Sequence, residues 1–408
     1  MLQGFVHPNF SQVADVLRKQ LPKSGQGGAA VAVYHQGECV VDIWGGFRNQ
    51  DSDPWNKDTL ALSFSTTKGV ASTLLHVLAE QQLIDYDLPV SHYWPEFAQA
   101  GKSQITVRQV LCHEAGLFGI RSMVVHADEM TDWDAMVRYI EQAEPIHTPG
   151  TANGYHGLTY GFIVGEIIRR VTDLNFSEAL DQYLAQPLKL DGLFCGLSET
   201  EMPRCAQLLL PQRVSGNSKR TGRWQKTLVK TAITGAMWAV GADIEHTRQG
   251  LLPKGMSGFD FNSPLVWASC IPSANGMFTA RSLARLYAMM ANQGELEGVR
   301  LLSESRVRQM AEVQSTRRDK VVHLPMKWRL GYHRVFTFGP RTPNAFGHFG
   351  YGGSGAWCDP SRGLSVAMTL NSGVGTPFGD SRIAYINAAA LRAADSLRGR
   401  RSSLVSAY

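Results

Sequence analysis

Ser65-Thr66-Thr67-Lys68 sets a hydroxyl and an amine three residues apart. Leu60, Ala61, Leu62 and Phe64 precede the quartet, and Gly69-Val70-Ala71, Leu74, Leu75, Val77 and Leu78 follow it. An apolar lead-in and then apolar residues at helical spacing predict an extended segment feeding a helix over roughly 68–82. Three residues is close to one helical turn, so the Ser65 and Lys68 side chains share a face. Serine at a helix start has an ordinary use as an N-cap. A cap alone does not require a lysine in the first turn, where the helix dipole disfavours a cation. Lys68 is also the only lysine of the chain with a serine three positions before it. A serine hydroxyl becomes a nucleophile when a base takes its proton, and a lysine whose pKa is lowered by burial is such a base. Ser65 is therefore the candidate nucleophile of an acyl-enzyme.

The chain has room for such a site. Its 408 residues, 44% hydrophobic and 18% charged, can bury a large core in one large or two interlocked domains. Forty basic against 35 acidic residues leave a net charge of +5, and the one basic run lies between Arg398 and Arg401. That balance does not indicate a nucleic-acid partner, and the run reads as a solvated tail. Gln3, His7, Asn9, Gln12, Asp15 and Arg18 interrupt the first residues, and no stretch approaches the roughly 20 apolar residues of a membrane span. Neither secretion nor a membrane is expected. Cys39, Cys112, Cys195, Cys205, Cys270 and Cys358 form no CxxC pair and read as free thiols of a reducing compartment, which makes the cytoplasm the expected location.

Outward from the quartet, an amphipathic segment over residues 10–21 precedes two alternating apolar runs, 29–34 and 39–44, split by Gln36-Gly37 as in a hairpin. Helical periodicity marks 106–113, 133–142, 160–171, 176–184, 282–292, 304–313 and 383–397. Strand-like runs cover 328–335, 345–349, 355–359 and 364–371, and 189–261 reads as long irregular loops of the kind that serve a site. Strands near both ends with helices between them predict an α+β fold. A sheet domain is expected from residues 1–85 and 265–408, and a mostly helical one with loops over the site from 86–264.

Two further segments carry chemistry. Pro149-Gly150-Thr151-Ala152-Asn153-Gly154-Tyr155-His156-Gly157 is turn-rich and opens a helix, so Tyr155 sits on constrained backbone. Its phenol is either a packing aromatic or, beside a lysine ammonium, biased towards phenolate and able to move a proton. His348-Phe349-Gly350-Tyr351-Gly352-Gly353-Ser354-Gly355 follows a strand. Its glycines make either a plain hairpin turn or an edge where backbone N–H groups meet a developing oxyanion.

Taken in order, Ser65-Thr66-Thr67-Lys68, Tyr155-His156-Gly157 and His348-Phe349-Gly350 resemble the serine β-lactamase and penicillin-binding protein superfamily. The resemblance is nearest to the family VIII carboxylesterases related to class C β-lactamases. It runs from about residue 12 to about residue 395, supported by Gly165-Glu166-Ile167 and by Ser273-Ala274-Asn275-Gly276 leading into Thr279-Ala280-Arg281. The resemblance implies a central antiparallel sheet flanked by helices beside a mostly helical domain. It implies Ser65 as nucleophile, Lys68 as its activating partner, Tyr155 as proton-transferring phenol, and an oxyanion hole from the backbone N–H groups of Ser65 and Tyr351. His348, Phe349, Gly350 and Gly157 would bind substrate, with no metal or other cofactor required.

Two positions depart from penicillin-recognising members. Gly157 stands where they have an asparagine that would bond the lysine or a substrate amide. His348, mostly neutral at an unperturbed pKa of about 6.5, stands where they have a lysine that would pair with a substrate carboxylate. Both changes imply a small uncharged ester as the substrate, with weak β-lactam cleavage still open. Trp224, Trp238, Trp328 and Trp357 are either an apolar acyl pocket or core. The same first half-reaction serves an acyltransferase or an amide hydrolase, and a catalytically inactive member would be a binding or assembly module. The scattered histidines and the absence of a Gly-x-Ser-x-Gly elbow disfavour zinc and Ser-His-Asp hydrolases.

Overall fold

A computed structural model describes residues 2–21, 27–209, 243–373 and 380–405. Seven strands form one antiparallel sheet: β1 (Gln3–Val6), β2 (Gly28–His35), β3 (Glu38–Gly46), β4 (His333–Arg334), β5 (Phe346–Phe349), β6 (Gly355–Asp359) and β7 (Leu364–Leu370). Their spatial order is β1-β3-β2-β7-β6-β5-β4, so strands from the two ends of the chain pair at the β2–β7 seam, from Ala29↔Leu370 to His35↔Leu364. The expected hairpin is present. Gln36 and Gly37 take φ of +54° and +82°, the left-handed pair a two-residue turn of the primed type requires.

Alternation along the strands divides the sheet's faces. Val31, Val33, Val366 and Met368 point to one core, which α1 (Ser11–Gln20) and α6 (Ser381–Val405) cover with Val13, Leu17, Ile386 and Leu391. Ala30, Ala32, Ala356 and Ala367 point to the other core, where small side chains let helices approach closely. Each buried Val, Ile or Leu contributes about 1.5–3 kcal/mol over an exposed one. The helices between α1 and α6 include α2 (Thr66–Glu80), α3 (Thr159–Thr172), α4 (Ile244–Leu251) and α5 (Ala280–Ala291), the last packed on β2 and β7. α2 is buried at every position from Thr66 to Ala79, as its lack of a polar face requires. Among the described residues, no helix is long and apolar enough to cross a membrane.

Three expectations are corrected. The run over 328–335 is a strand only at His333–Arg334, because Gly331 turns at φ +81° and Arg329 N–H bonds back to the Tyr332 carbonyl. The segment over 176–184 is helical in three pieces, Phe176–Leu180, a wider π turn at Asp181–Ala185, and Gln186–Leu188. Within 189–261, α4 is a helix whose N-cap Asp243 accepts from Glu245 N–H. Trp224 and Trp238 lie outside the described residues.

Candidate active site

The nucleophile turn is built by a short three-stranded sheet in which Met277–Phe278 pairs with both Ala61–Leu62 and Leu193–Phe194. After Ala61–Leu62 the chain reverses at Phe64, whose φ of +44° costs on the order of 1 kcal/mol for a residue with a Cβ. The turn is held in place: Thr67 Oγ1 donates to the Phe64 carbonyl (2.6 Å) and accepts from Gly276 N–H (3.0 Å). Ser65 occupies the N-cap position of α2, yet its hydroxyl caps nothing. It lies instead 3.0 Å from Lys68 Nζ.

Lys68 is completely buried, and Nζ also donates to the Ser273 carbonyl at 2.9 Å. Burial, with no carboxylate partner, pushes its pKa well below that of an ordinary lysine. Burial thus favours a neutral amine, with Ser65 Oγ and the Ser273 carbonyl both within hydrogen-bond reach of Nζ. Ser273 was present in the sequence motif, but its role is carried by a backbone carbonyl that residue type does not reveal.

Tyr155 is buried beside them. Its ring stacks on Trp328 (centroids 5.6 Å apart, planes at 10°), and Lys68 Nζ lies 5.0 Å from its centroid. Its backbone N–H donates to Asp319 Oδ1 at 3.2 Å. Burial raises the phenol's pKa, and the neighbouring Ser65 hydroxyl lowers it less, from a position short of a formed hydrogen bond. Burial favours the neutral phenol over the phenolate, and it favours the neutral form of Lys68 in the same way.

The third segment meets the chain just before Ser65 in a close backbone contact. A Cβ on Gly350 would stand 2.2 Å from the Ser63 carbonyl, so only glycine lets the end of β5 lie against the Ser65 turn. Among the described residues, neither Ser65 N–H nor Tyr351 N–H donates to a protein acceptor.

A cavity of about 540 Å³ opens on Ser65 and Tyr155, and its apolar wall includes Leu158, Leu251, Met256, Phe259, Phe261 and Tyr351. Gly157 lines it, but His348, Phe349 and Gly350 do not. The His348 ring sits behind Tyr155 (centroids 6.2 Å apart), with Nδ1 bonded to the Phe349 carbonyl. Burial pushes its pKa well below 6.5, so it supplies no cation. Phe349 points to the opposite face of the sheet, into the core beneath α1 and α6, because adjacent strand residues alternate. Trp328 and Trp357 are also core: Trp328 backs Tyr155, and Trp357 Nε1 donates to Asn387 Oδ1. A Cβ on Gly157 would meet Leu251 Cδ2 at 2.5 Å and the Gly250 carbonyl at 2.6 Å, so α4 fills the space a larger residue would take. Asp260 is the only formally charged side chain among the described residues lining the cavity.

Residues 13–391 match the sequence model of the family described as Beta-lactamase. The chain belongs to the beta-lactamase family. The chain is similar to the esterase/beta-lactamase LipL of Mycobacterium tuberculosis, 34% identical over 371 residues that cover 90% of this chain and 82% of that protein. Two solved structures, a family VIII carboxylesterase and a penicillin-binding protein homologue from Caulobacter crescentus, are each 33% identical to it. Each comparison covers 96% of this chain and all of the other, with TM-scores of 0.81 and 0.82. The expected fold, a central antiparallel sheet with helices, is the beta-lactamase-like fold. This is a beta-lactamase-like serine hydrolase family, with esterases among the similar proteins.

Proposed function

We propose that the protein is a serine carboxylesterase that cleaves uncharged carboxylic esters through an acyl-Ser65 intermediate. The observation that carries this reading is a buried Lys68 amine, its pKa pushed well down by burial, 3.0 Å from the Oγ of Ser65, a residue that lines an apolar cavity. Ser65 Oγ attacks the ester carbonyl as its proton passes to Lys68 Nζ. The N–H groups of Ser65 and Tyr351 stabilise the oxyanion. Collapse of the tetrahedral adduct expels an alkoxide, which takes the Tyr155 phenol proton; the Lys68 ammonium then restores the phenol. Water enters where the alcohol left, gives a proton to the same pair, and releases the carboxylic acid from Ser65.

The apolar wall and the neutral His348 support preference for an uncharged substrate, since a carboxylate would find no described cation in the cavity and Asp260 facing it. Esterase activity in the names of similar proteins supports the same reading. Wild-type and Ser65→Ala proteins compared on p-nitrophenyl butyrate test it. Turnover is expected to vanish in the variant, and equal rates would overturn the mechanism.

A further inference from the structure

Asp319 is a buried carboxylate with four N–H donors around it and, among the described residues, no ion-pair partner. Oδ1 accepts from Tyr155 N–H (3.2 Å), Val321 N–H (2.8 Å) and Val322 N–H (3.0 Å), and Oδ2 accepts from Trp328 Nε1–H (3.1 Å). Every partner is a donor, so the group fits its site as an acceptor-only carboxylate. Burial raises its pKa against the pull of these four bonds. An isolated buried anion is costly, and four N–H bonds exceed what a surface loop needs to hold its shape.

Two of the four bonds converge on one side chain. One fixes the backbone of Tyr155, and the other fixes the indole stacked at 10° on the Tyr155 ring. The surrounding segment is locked to the tyrosine loop as well, through Lys320 N–H to the Asn153 carbonyl (2.8 Å) and Ser315 Oγ to Asn153 Oδ1 (2.6 Å). We propose that Asp319 is the positioning residue of the Tyr155 phenol, aiming it at Ser65 through the tyrosine backbone and the Trp328 indole together. The proposal rests on the esterase reading above. Asp319 touches no reacting atom; it removes the freedom by which the phenol would swing out of line.

The test compares wild-type, Asp319→Asn, Trp328→Phe and the double variant on p-nitrophenyl butyrate, with melting temperatures measured for each and Ser65→Ala alongside. An amide that keeps its oxygen on the three backbone donors turns its NH2 onto the indole N–H, a donor against a donor. Asp319→Asn is expected to lower kcat about 10- to 100-fold with KM changed less than about twofold. Trp328→Phe removes the clashing donor but also the indole bond to Asp319, so the double variant is expected to recover from the Asp319→Asn level only as far as Trp328→Phe alone, itself several-fold below wild type. Wild-type kcat in Asp319→Asn, a fall in melting temperature alone, or a double variant that stays at the Asp319→Asn level would each overturn the proposal. Should Asp319→Asn not fold, Trp328→Phe alone decides: a kcat decrease supports the role, and an unchanged kcat refutes it. Ser65→Ala at the wild-type rate would instead sink the esterase reading itself.

Discussion

Burial alone pushes the Lys68 pKa well below that of an ordinary lysine, which sets what can replace it. Arginine keeps its charge at any pH a folded protein meets, so Lys68→Arg is expected to lose ester turnover as fully as Lys68→Ala, by about 10²-fold or more in kcat. Retention of more than a tenth of kcat by the arginine variant would show that charge, not proton acceptance, is the need. The same physics shapes the pH profile. A base works only when deprotonated, so activity is expected to rise with pH through a Lys68 pKa well below the usual lysine value, and an acid limb near 10 would contradict the burial argument. Tyr155 titrates above its ordinary value, so its loss of a proton places no alkaline limb near neutrality.

At the scale of elements, α4 is packed against Gly157. Gly157→Asn is expected to lower stability by about 1–3 kcal/mol through overpacking. It is not expected to confer β-lactam cleavage. Trimming Leu251 to Ala in the same chain is expected to return part of the lost melting temperature, and an unaffected single variant would show that α4 yields freely. This helix also marks where the sequence could and could not be read. The hairpin at Gln36-Gly37 and the helix that follows Ser65 and carries Lys68 declare themselves because turn chemistry and a continuous apolar period are local signals. α4 is only eight residues long, and glycines, prolines and basic residues surround it, so its period is lost. Trp328 reads as part of a strand because Val, Tyr and Trp favour one, and only the Gly331 turn and the Asp319 bond reveal otherwise. The Ser273 carbonyl and the Asp319 carboxylate act through geometry, and a single sequence holds no trace of that beyond residue type. Phe349 was misplaced by a more basic limit: which strand residue faces the cavity is a question of register.

The whole molecule stores five buried imidazoles around α2 and the site. Burial depresses the pKa of His76 and His156 to about 3 and of His333 to about 4, and it lowers His113 and His348 as well. Unfolded, each returns to about 6.5, so below that pH the unfolded chain binds more protons than the native one. Stability therefore falls as pH drops from about 6.5, by up to about 1.4 kcal/mol per pH unit for each histidine, until its folded pKa is reached. A melting temperature that stays flat from pH 6.5 to 4.5 would show that these rings are charged or hydrated in the native state. The order of strands across the sheet has a different consequence, one of timing. Ser65 is synthesised soon after the β2–β3 hairpin, whereas the Tyr351 backbone and β7, the partner of the other edge of β2, come roughly 300 residues later, about 15–60 s at ordinary rates of synthesis. Until then the nascent chain carries a serine and a lysine without an oxyanion hole and half of a sheet with an open edge. Assembly of the site thus waits for β7, and until that strand is made the growing chain depends on whatever shields the open edge of β2.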